Sequence, residues 1–219
     1  MRRLIISDLH IGSLFSRESD IINLFQTIQF DELILAGDII DFIKVPIFTK
    51  NSLILFEILS NIKVPIKYII GNHDISFGNF EGTSFNNIYF TKKYDFIDEE
   101  KKIRVEHGDD YDNYIIKWFY LMNIIAIIGN IIERFFNVDI LEYWENYRYK
   151  KKGKININNI MTKNSDVDIF IMGHTHRPEI LEVNLPNVNK KIKYCNSGDW
   201  VSHKSYLILE NGEVTLHSF

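Results

Sequence analysis

The sequence contains a single cysteine, Cys195, so no intrachain disulfide can form. It also lacks the pattern of a secretory leader, because the apolar stretch that follows the first three residues already ends at Asp8. We therefore expect a protein of the reducing cytoplasm.

An excess of charge of one sign and a long uninterrupted apolar run are also missing. Twenty-five basic against 29 acidic residues give a net charge of −4, so no overall field would draw the chain onto nucleic acid, and no nucleic-acid partner is expected. The most apolar stretch, residues 118–132 of the segment 114–154, is interrupted at Asn123, Gly129 and Asn130, whereas a membrane-spanning helix needs about 20 apolar residues. Both absences argue against nucleic-acid-binding and membrane-spanning classes.

The composition is that of an ordinary globular protein. The 219 residues are 46% hydrophobic and 25% charged, which excludes disordered, collagen-like and coiled-coil proteins. This length suffices to bury a full core without disulfides or structural metals. We expect a single domain over residues 1–219 that carries an insertion.

Short apolar segments that end in polar turns indicate strands covered on both faces. Three of them lie early in the chain, at residues 3–6, 33–36 and 66–70. Between them, apolar residues recur at helical spacing over residues 21–28 and 53–62, and the second helix would begin after Thr49 or Asn51. Strands that alternate with helices predict an α/β fold.

A second series of strand-like segments follows, at residues 103–105, 169–172, 192–195, 206–209 and 214–216. The last two are joined by Asn211-Gly212, a dipeptide typical of tight hairpins. The sheet should therefore include an antiparallel part.

Polar residues gather in five motifs: Asp8-x-His10, Gly37-Asp38-x-x-Asp41, Gly71-Asn72-His73-Asp74, His107-Gly108-Asp109 and Gly173-His174-Thr175-His176. In an extended segment residues i and i+2 point the same way, so Asp8 with His10, and His174 with His176, would each direct two ligands at one point. Imidazoles and carboxylates bind first-row divalent metals, and Asp38 has two oxygens that could bridge two ions. Each motif alone is more often a simple turn or a hydrogen-bonded histidine. The prediction of a metal site therefore depends on all five motifs occurring together.

The ordered blocks D-x-H, GD, GNH(D/E), H and GHxH resemble those of the calcineurin-like metallophosphoesterase superfamily, from Asp8 to His176. The resemblance implies an α/β fold, a four-layer αββα sandwich of mixed sheets. It also implies two metal sites that share one carboxylate. One would be held by Asp8, His10, Asp38 and His176, and the other by Asp38, Asn72, His107 and His174.

The resemblance further implies phosphoester hydrolysis by a hydroxide that bridges two divalent ions. His73 would donate a proton to the leaving oxygen or stabilise the phosphoryl charge, and Asp74 would fix its tautomer. Asp41 and Asp109 would orient ligand imidazoles. Mn²⁺ is the expected metal, although Fe, Zn, Co or Ni would fit the same ligands.

Longer motifs are similar to those of the UDP-2,3-diacylglucosamine hydrolase-like branch: GDIIDF, HGDDYD, GHTHRP and NSGDWV. In that branch a helical insertion caps the active site, and in lipid A enzymes it receives acyl chains. Residues 113–163 occupy the corresponding place. The best-known enzymes of the branch carry arginine where this chain has His73. His73 has two explanations. The chain belongs to a sister group with the same substrate, or its substrate is a phosphoester whose leaving alkoxide needs a proton.

Four residues are candidates for substrate binding. Arg177, next to a metal ligand, would pair with a phosphate, and His203, Trp118 and Asp41 would lie near the substrate. The apolar cap around Trp118 could hold part of an acyl chain, at roughly 0.8 kcal/mol per CH₂, or its helices could bury one another. The basic residues at 147–154 are either a solvated helix end or, with that apolar surface, a contact with a membrane.

Three functions are compatible with these observations. The first is a dinuclear hydrolase of a nucleotide-linked or lipid-linked pyrophosphate, in the cytoplasm and peripheral to the inner face of the membrane. The second is a broad phosphodiesterase or phosphomonoesterase that acts on small soluble substrates. The third is a non-catalytic scaffold, against which the complete ligand set argues.

Overall fold

The computed structural model describes residues 1–43, 46–112, 128–129, 132, 155–185 and 189–219. Trp118 and the basic residues at 147–154 lie outside this part of the chain. The predicted insertion at residues 113–163 is described only at 128–129, 132 and 155–163.

Twelve strands form two sheets within the described ranges. The first sheet contains β1 (Arg3–Ile6), β2 (Glu32–Ala36), β3 (Ile66–Ile69), β4 (Ser84–Phe85), β5 (Ile88–Thr91), β11 (Ser205–Glu210) and β12 (Glu213–Ser218), in the order β12-β11-β1-β2-β3-β5-β4. The second contains β6 (Lys93–Asp98), β7 (Lys101–Glu106), β8 (Ile169–Met172), β9 (Glu179–Leu185) and β10 (Lys190–Asn196), in the order β6-β7-β8-β10-β9.

Parallel strands form the centre of each sheet, and antiparallel strands lie toward the edges. β1, β2, β3 and β5 run parallel, with Ile5 beside Ile34 in register, and β7, β8 and β10 do the same in the second sheet. The predicted hairpin joins β11 to β12, and both Asn211 and Gly212 have positive φ, as a tight hairpin turn requires. The prediction of mixed sheets is confirmed.

Three α-helices have their bounds within the described ranges: α1 (Glu18–Thr27), α2 (Lys50–Asn61) and α3 (Ile157–Lys163). Two short 3-10 helices, Ile75–Phe80 and Asp109–Tyr111, are described as well. Thr49, not Asn51, caps α2. The Thr49 hydroxyl accepts from the N–H groups of Asn51 and Ser52, and the Ser52 side chain accepts from Thr49 N.

The buried face of α2 differs from the prediction. Leu53, which the helical spacing placed on the inner face, is exposed, and Leu55 is buried instead. None of the helices within the described ranges is long and apolar enough to cross a membrane.

The buried apolar residues fall into three groups that define four layers. Leu24 of α1 and Leu55 of α2 pack on one face of the first sheet. The opposite face packs on the second sheet, where Ile34 and Ile171 belong to one buried group. α3 covers the outer face of the second sheet, where its Met161 is fully buried. This is the predicted αββα sandwich, and it is confirmed.

The end of the predicted insertion, residues 157–163, is the helix α3. Ile160 and Met161 were included in the insertion, yet they are buried against Phe170 of β8. Residues Ile157–Lys163 therefore belong to the outer layer of the domain, because their apolar face completes its core.

The parallel strands place the polar motifs at one edge of each sheet. The motifs at Asp8, Asp38 and Asn72 directly follow β1, β2 and β3, and those at His107 and His174 directly follow β7 and β8. Because the carboxyl ends of parallel strands meet at the same edge, five segments distant in sequence converge there.

Candidate metal centre

The first group of side chains contains Asp8, His10 and His176. The His176 Nε2 atom lies 3.1 Å from Asp8 Oδ1 and 3.3 Å from His10 Nε2. Asp8 Oδ1 is buried and accepts no hydrogen bond from the described residues. A buried carboxylate oxygen left without a donor, beside two imidazole nitrogens, is suited to a cation that would complete its interactions.

The second group contains Asp38, His107 and His174, whose ligand atoms lie within 4.8 Å of one another. The His107 Nε2 atom is 3.1 Å from Asp38 Oδ2 and 3.2 Å from Asn72 Oδ1. The other ring nitrogen of His107, Nδ1, donates to the Ala36 carbonyl at 3.0 Å. That hydrogen bond leaves the lone pair of a neutral imidazole on Nε2, which faces the group.

Asp38 connects the two groups. It also lies within 4.8 Å of His10 and His73, and its Oδ1 accepts from His73 N at 2.8 Å. Asp8 is held in the same way, because its Oδ2 accepts from His174 N at 3.1 Å. Each carboxylate is thus oriented by the backbone of another motif, and Asp38 of the second group lies next to His10 of the first.

Burial and charge set the protonation of these groups. Burial opposes ionisation of Asp38, but His107 and His73 hold its pKa well below the usual range. Burial opposes ionisation of Asp8 as well, and His176 lowers its pKa. Burial and the nearby His73 lower the pKa of His10 to about 4. Near neutral pH the carboxylates are therefore charged and His10 is neutral, which are the forms that bind metals.

The backbone of these motifs is not extended, contrary to the reasoning from i and i+2 spacing. Five predicted ligands have positive φ: Asp8, His10, Asp38, His174 and His176. Such residues are uncommon outside glycine, cost on the order of 1 kcal/mol or more each, and cluster at functional sites. The paired side chains converge because alternate residues turn into the left-handed region.

Two motif glycines make room for side chains from other motifs. A Cβ on Gly37 would overlap the His107 ring, and a Cβ on Gly71 would overlap the Asp38 carboxylate and backbone. These glycines allow the loops after β2, β3 and β7 to approach closely enough for the ligands to meet.

His73 is paired with Asp41, and the prediction that Asp74 fixes its tautomer is wrong. The His73 Nδ1 atom lies 2.8 Å from Asp41 Oδ1, while its Nε2 is 3.9 Å from Asp38 Oδ2. Asp41 Oδ2 is also 3.8 Å from His10 Nδ1. Asp41 is almost fully buried, and its two oxygens face the rings of His73 and His10.

Asp74 instead joins the second and third motifs. Its carboxylate accepts from Ile39 N at 2.9 Å, Gly71 N at 2.6 Å and the Tyr68 hydroxyl at 2.7 Å. Burial and the charge of Asp38 raise its pKa to about 6. Asp74 is a structural residue because its side chain turns away from His73 toward these donors.

The other candidates for substrate binding are less defined. Arg177 is partly buried directly after His176. The His203 side chain is 45% exposed and pairs with buried Asp199. The next residue, Trp200, donates its backbone N–H to the Asp8 carbonyl at 3.0 Å.

Asp109, which was predicted to orient an imidazole, is half-buried. It helps to raise the pKa of buried His107, after the larger effect of Asp38.

Two further residues were not assigned by the sequence reasoning. Asn196 Nδ2 donates to the Gly173 carbonyl at 2.7 Å and to Thr175 Oγ1 at 2.9 Å, so it fixes the loop that carries His174 and His176. Asp112 Oδ2 lies 3.5 Å from His174 Nε2. Asn196 lies in the motif NSGDWV and Asp112 in HGDDYD. No local pattern in the sequence reveals contacts between such distant segments.

The profile of the calcineurin-like phosphoesterase family matches residues 1–178. The chain therefore belongs to this family, whose order of motifs it carries on the two-sheet fold.

Solved structures share the fold at low sequence identity. Vps29 from Chaetomium thermophilum has a TM-score of 0.55 at 11% identity, over 99% of this chain and 88% of that one. Yfce, a phosphoesterase from E. coli, has 0.53 at 16%, over 100% and 93%. An archaeal phosphodiesterase has 0.52 at 14%, over 100% of both chains. No curated protein matches in sequence.

Proposed function

We propose that the chain is a dinuclear metal-dependent phosphoesterase. The observation that carries this proposal is the pair of ligand groups connected through Asp38, which belongs to the second group and lies within 4.8 Å of His10 in the first, with His73 beside it. One ion would be held by Asp8, His10, Asp38 and His176, and the other by Asp38, Asn72, His107 and His174. Mn²⁺ is our first choice among the divalent metals that such a thiolate-free set accepts.

Two bound divalent ions supply positive charge to the phosphoryl oxygens and an acidified water as the nucleophile. The protein residues set the charge around these ions. Asp8 and Asp38 balance the positive charge, and buried His10 stays neutral.

His73 is the proton donor of this proposal. The Asp41 carboxylate accepts from Nδ1 and stabilises the imidazolium, so the proton on Nε2 is directed toward the site. The His73 side chain is 16% exposed, which leaves it accessible to the leaving oxygen of a bound phosphoester.

We further propose a nucleotide-linked or lipid-linked substrate with a pyrophosphate or phosphodiester bond, similar to UDP-2,3-diacylglucosamine. Exposed apolar side chains beside the centre support an amphiphilic substrate. Ile47 is 41% exposed and its N–H bonds to Gly12 O, two residues after His10, and Ile75, two residues after His73, is 46% exposed. Arg177 and His203 would contact this substrate. For an enzyme that acts on it, we propose a place in the cytoplasm, peripheral to the membrane.

The fold alone does not decide between an enzyme and a scaffold, since a shared fold at 11–16% identity carries no activity with it. The complete ligand set favours the enzyme. A scaffold has no physical need for buried carboxylates and for five ligands with positive φ, both of which cost stability.

The test is hydrolysis of bis-p-nitrophenyl phosphate by purified protein with Mn²⁺. We expect turnover that Asp38→Asn or His73→Ala abolishes or sharply reduces. A metal-loaded wild-type protein without activity on phosphodiesters, phosphomonoesters or pyrophosphates would support the scaffold.

The substrate class is tested separately by comparing UDP-diacylglucosamine with an unacylated UDP-sugar. We expect faster hydrolysis of the acylated compound. Equal rates would support the broad phosphodiesterase that acts on small soluble substrates.

A further inference from the structure

We infer that Asp112 is a positioning residue that selects the metal-binding nitrogen of His174. The inference rests on the proposed two-ion centre. Its observation is the separation of 3.5 Å between Asp112 Oδ2 and His174 Nε2, which places a carboxylate on one ring nitrogen of a predicted ligand.

A neutral imidazole has one N–H and one lone pair, so a partner at one nitrogen decides which nitrogen can bind a cation. At Nε2 of His174 a carboxylate favours the N–H, and the lone pair is then on Nδ1. His174 converges with Asp38 and His107 in the second ligand group. With Asp112 on Nε2, Nδ1 is the nitrogen of His174 whose lone pair would be available to an ion in that group.

The same arrangement occurs at the neighbouring histidines. The ring nitrogen of His107 that does not face the ligand group donates to the Ala36 carbonyl, and Nδ1 of His73 is paired with Asp41. Each imidazole has an oxygen partner on one nitrogen, and Asp112 supplies that partner for His174. Such outer partners raise ligand basicity and fix the ring orientation.

Asp112 is held in place by its own backbone and by the preceding turn. Its N–H donates to the Asp109 carbonyl at 3.0 Å. Tyr111, one residue earlier, donates its hydroxyl to Glu106 at 2.7 Å and accepts from Asn164 at 2.9 Å. The Asp112 side chain is 12% exposed, so its carboxylate faces the protein. These contacts hold the turn that carries Asp112, and its carboxylate lies near His174.

The test is calorimetric titration of the full metal-free chain with Mn²⁺. For Asp112→Ala we expect one of the two ions to bind about 10–100-fold more weakly, with the other unchanged. Asp112→Asn keeps the size and one acceptor oxygen, so we expect a smaller loss. The matched control is Asp110→Ala, which removes an exposed carboxylate from the same turn and should leave both affinities at the wild-type value.

Wild-type affinity for both ions in Asp112→Ala, or an equal loss in Asp110→Ala, would overturn the inference. The visible spectrum of the Co²⁺-loaded protein separates positioning from direct ligation. We expect the bands of Asp112→Asn to match those of wild type, and bands that indicate a lost ligand would contradict a positioning role. Activity is not the readout, so two-ion binding without phosphoester hydrolysis would refute the proposed function while the titration still decides the role of Asp112.

Discussion

At the scale of single residues, the chemistry depends on which acceptor each imidazole faces. The resemblance, which depends on the order of the motifs, predicted which residues converge. They lie at one edge because each motif follows a strand and the central strands are parallel. The resemblance was not sufficient to predict their partners. Asp74 is adjacent to His73 in sequence, but the donors around Gly71 and Ile39 draw its carboxylate away.

The pairing of Asp41 with His73 predicts the effect of Asp41→Asn. An amide cannot stabilise the imidazolium and can impose the wrong tautomer, so we expect kcat to fall by about 10²–10⁴-fold. The loss should not add to that of His73→Ala in the double variant, because the two residues act as a unit. Steady-state kinetics, with metal content measured in parallel, checks this. Independent additive losses would contradict the pairing.

The depressed pKa of His10 predicts a pH dependence of stability in the metal-free protein. The unfolded chain takes up a proton near pH 6.5, whereas the folded chain does so only near pH 4. Between these values the unfolded state binds more protons. The free energy of unfolding should therefore fall as the pH falls, by up to about 1.4 kcal/mol per pH unit. Urea unfolding in chelator should show a smaller slope for His10→Gln, and identical slopes would refute the assignment.

At the scale of elements, several strands with continuous apolar runs were predictable, whereas the amphipathic strands β6 and β9 were missed. β1, β2 and β8 are continuous apolar runs, which are typical of strands buried on both faces. β6 alternates exposed and half-buried residues and was missed, although its period of two was present in the sequence. β9 was missed as well, because it has consecutive exposed residues within an edge strand.

The loops that carry the ligands give a second structural prediction, for Gly71→Ala. The added Cβ would overlap the Asp38 carboxylate and backbone, so the loops after β2 and β3 must move apart. We expect at least about a 10-fold loss of metal affinity and about 1–3 kcal/mol of lost stability. The matched control is Gly78→Ala, whose Cβ would meet no atom within 4 Å. Equal metal affinity in the two variants would show that the close approach is unimportant.

At the scale of the whole molecule, neither sheet alone contains a complete site. The first sheet supplies Asp8 and Asp38, and the second supplies His107 and His174. The sequence periodicity predicted an α/β protein, but the packing of two sheets face to face came from the resemblance. Long-range packing of this kind is not encoded in any local pattern, since the buried group between the sheets joins residues as distant as Ile5 of β1 and Cys195 of β10.

Because the proposed ions would join both sheets, metal should stabilise the folded chain. An ion present at 100 times its Kd contributes about 2.7 kcal/mol, which for a chain of this size raises the Tm by about 5–10 °C. Thermal unfolding with and without chelator checks this, and Asp38→Asn should lose most of the difference. A Tm that does not change with Mn²⁺ concentration would contradict a centre formed by both sheets.

The most direct test of the account is the number and position of the bound ions. Elemental analysis of protein purified without chelator, combined with anomalous scattering from its crystals, measures both. We predict two divalent ions per chain on either side of Asp38, one beside His176 and the other beside His107. Protein that binds no ion when divalent metal is supplied, or that binds one ion and excludes a second, would contradict the account.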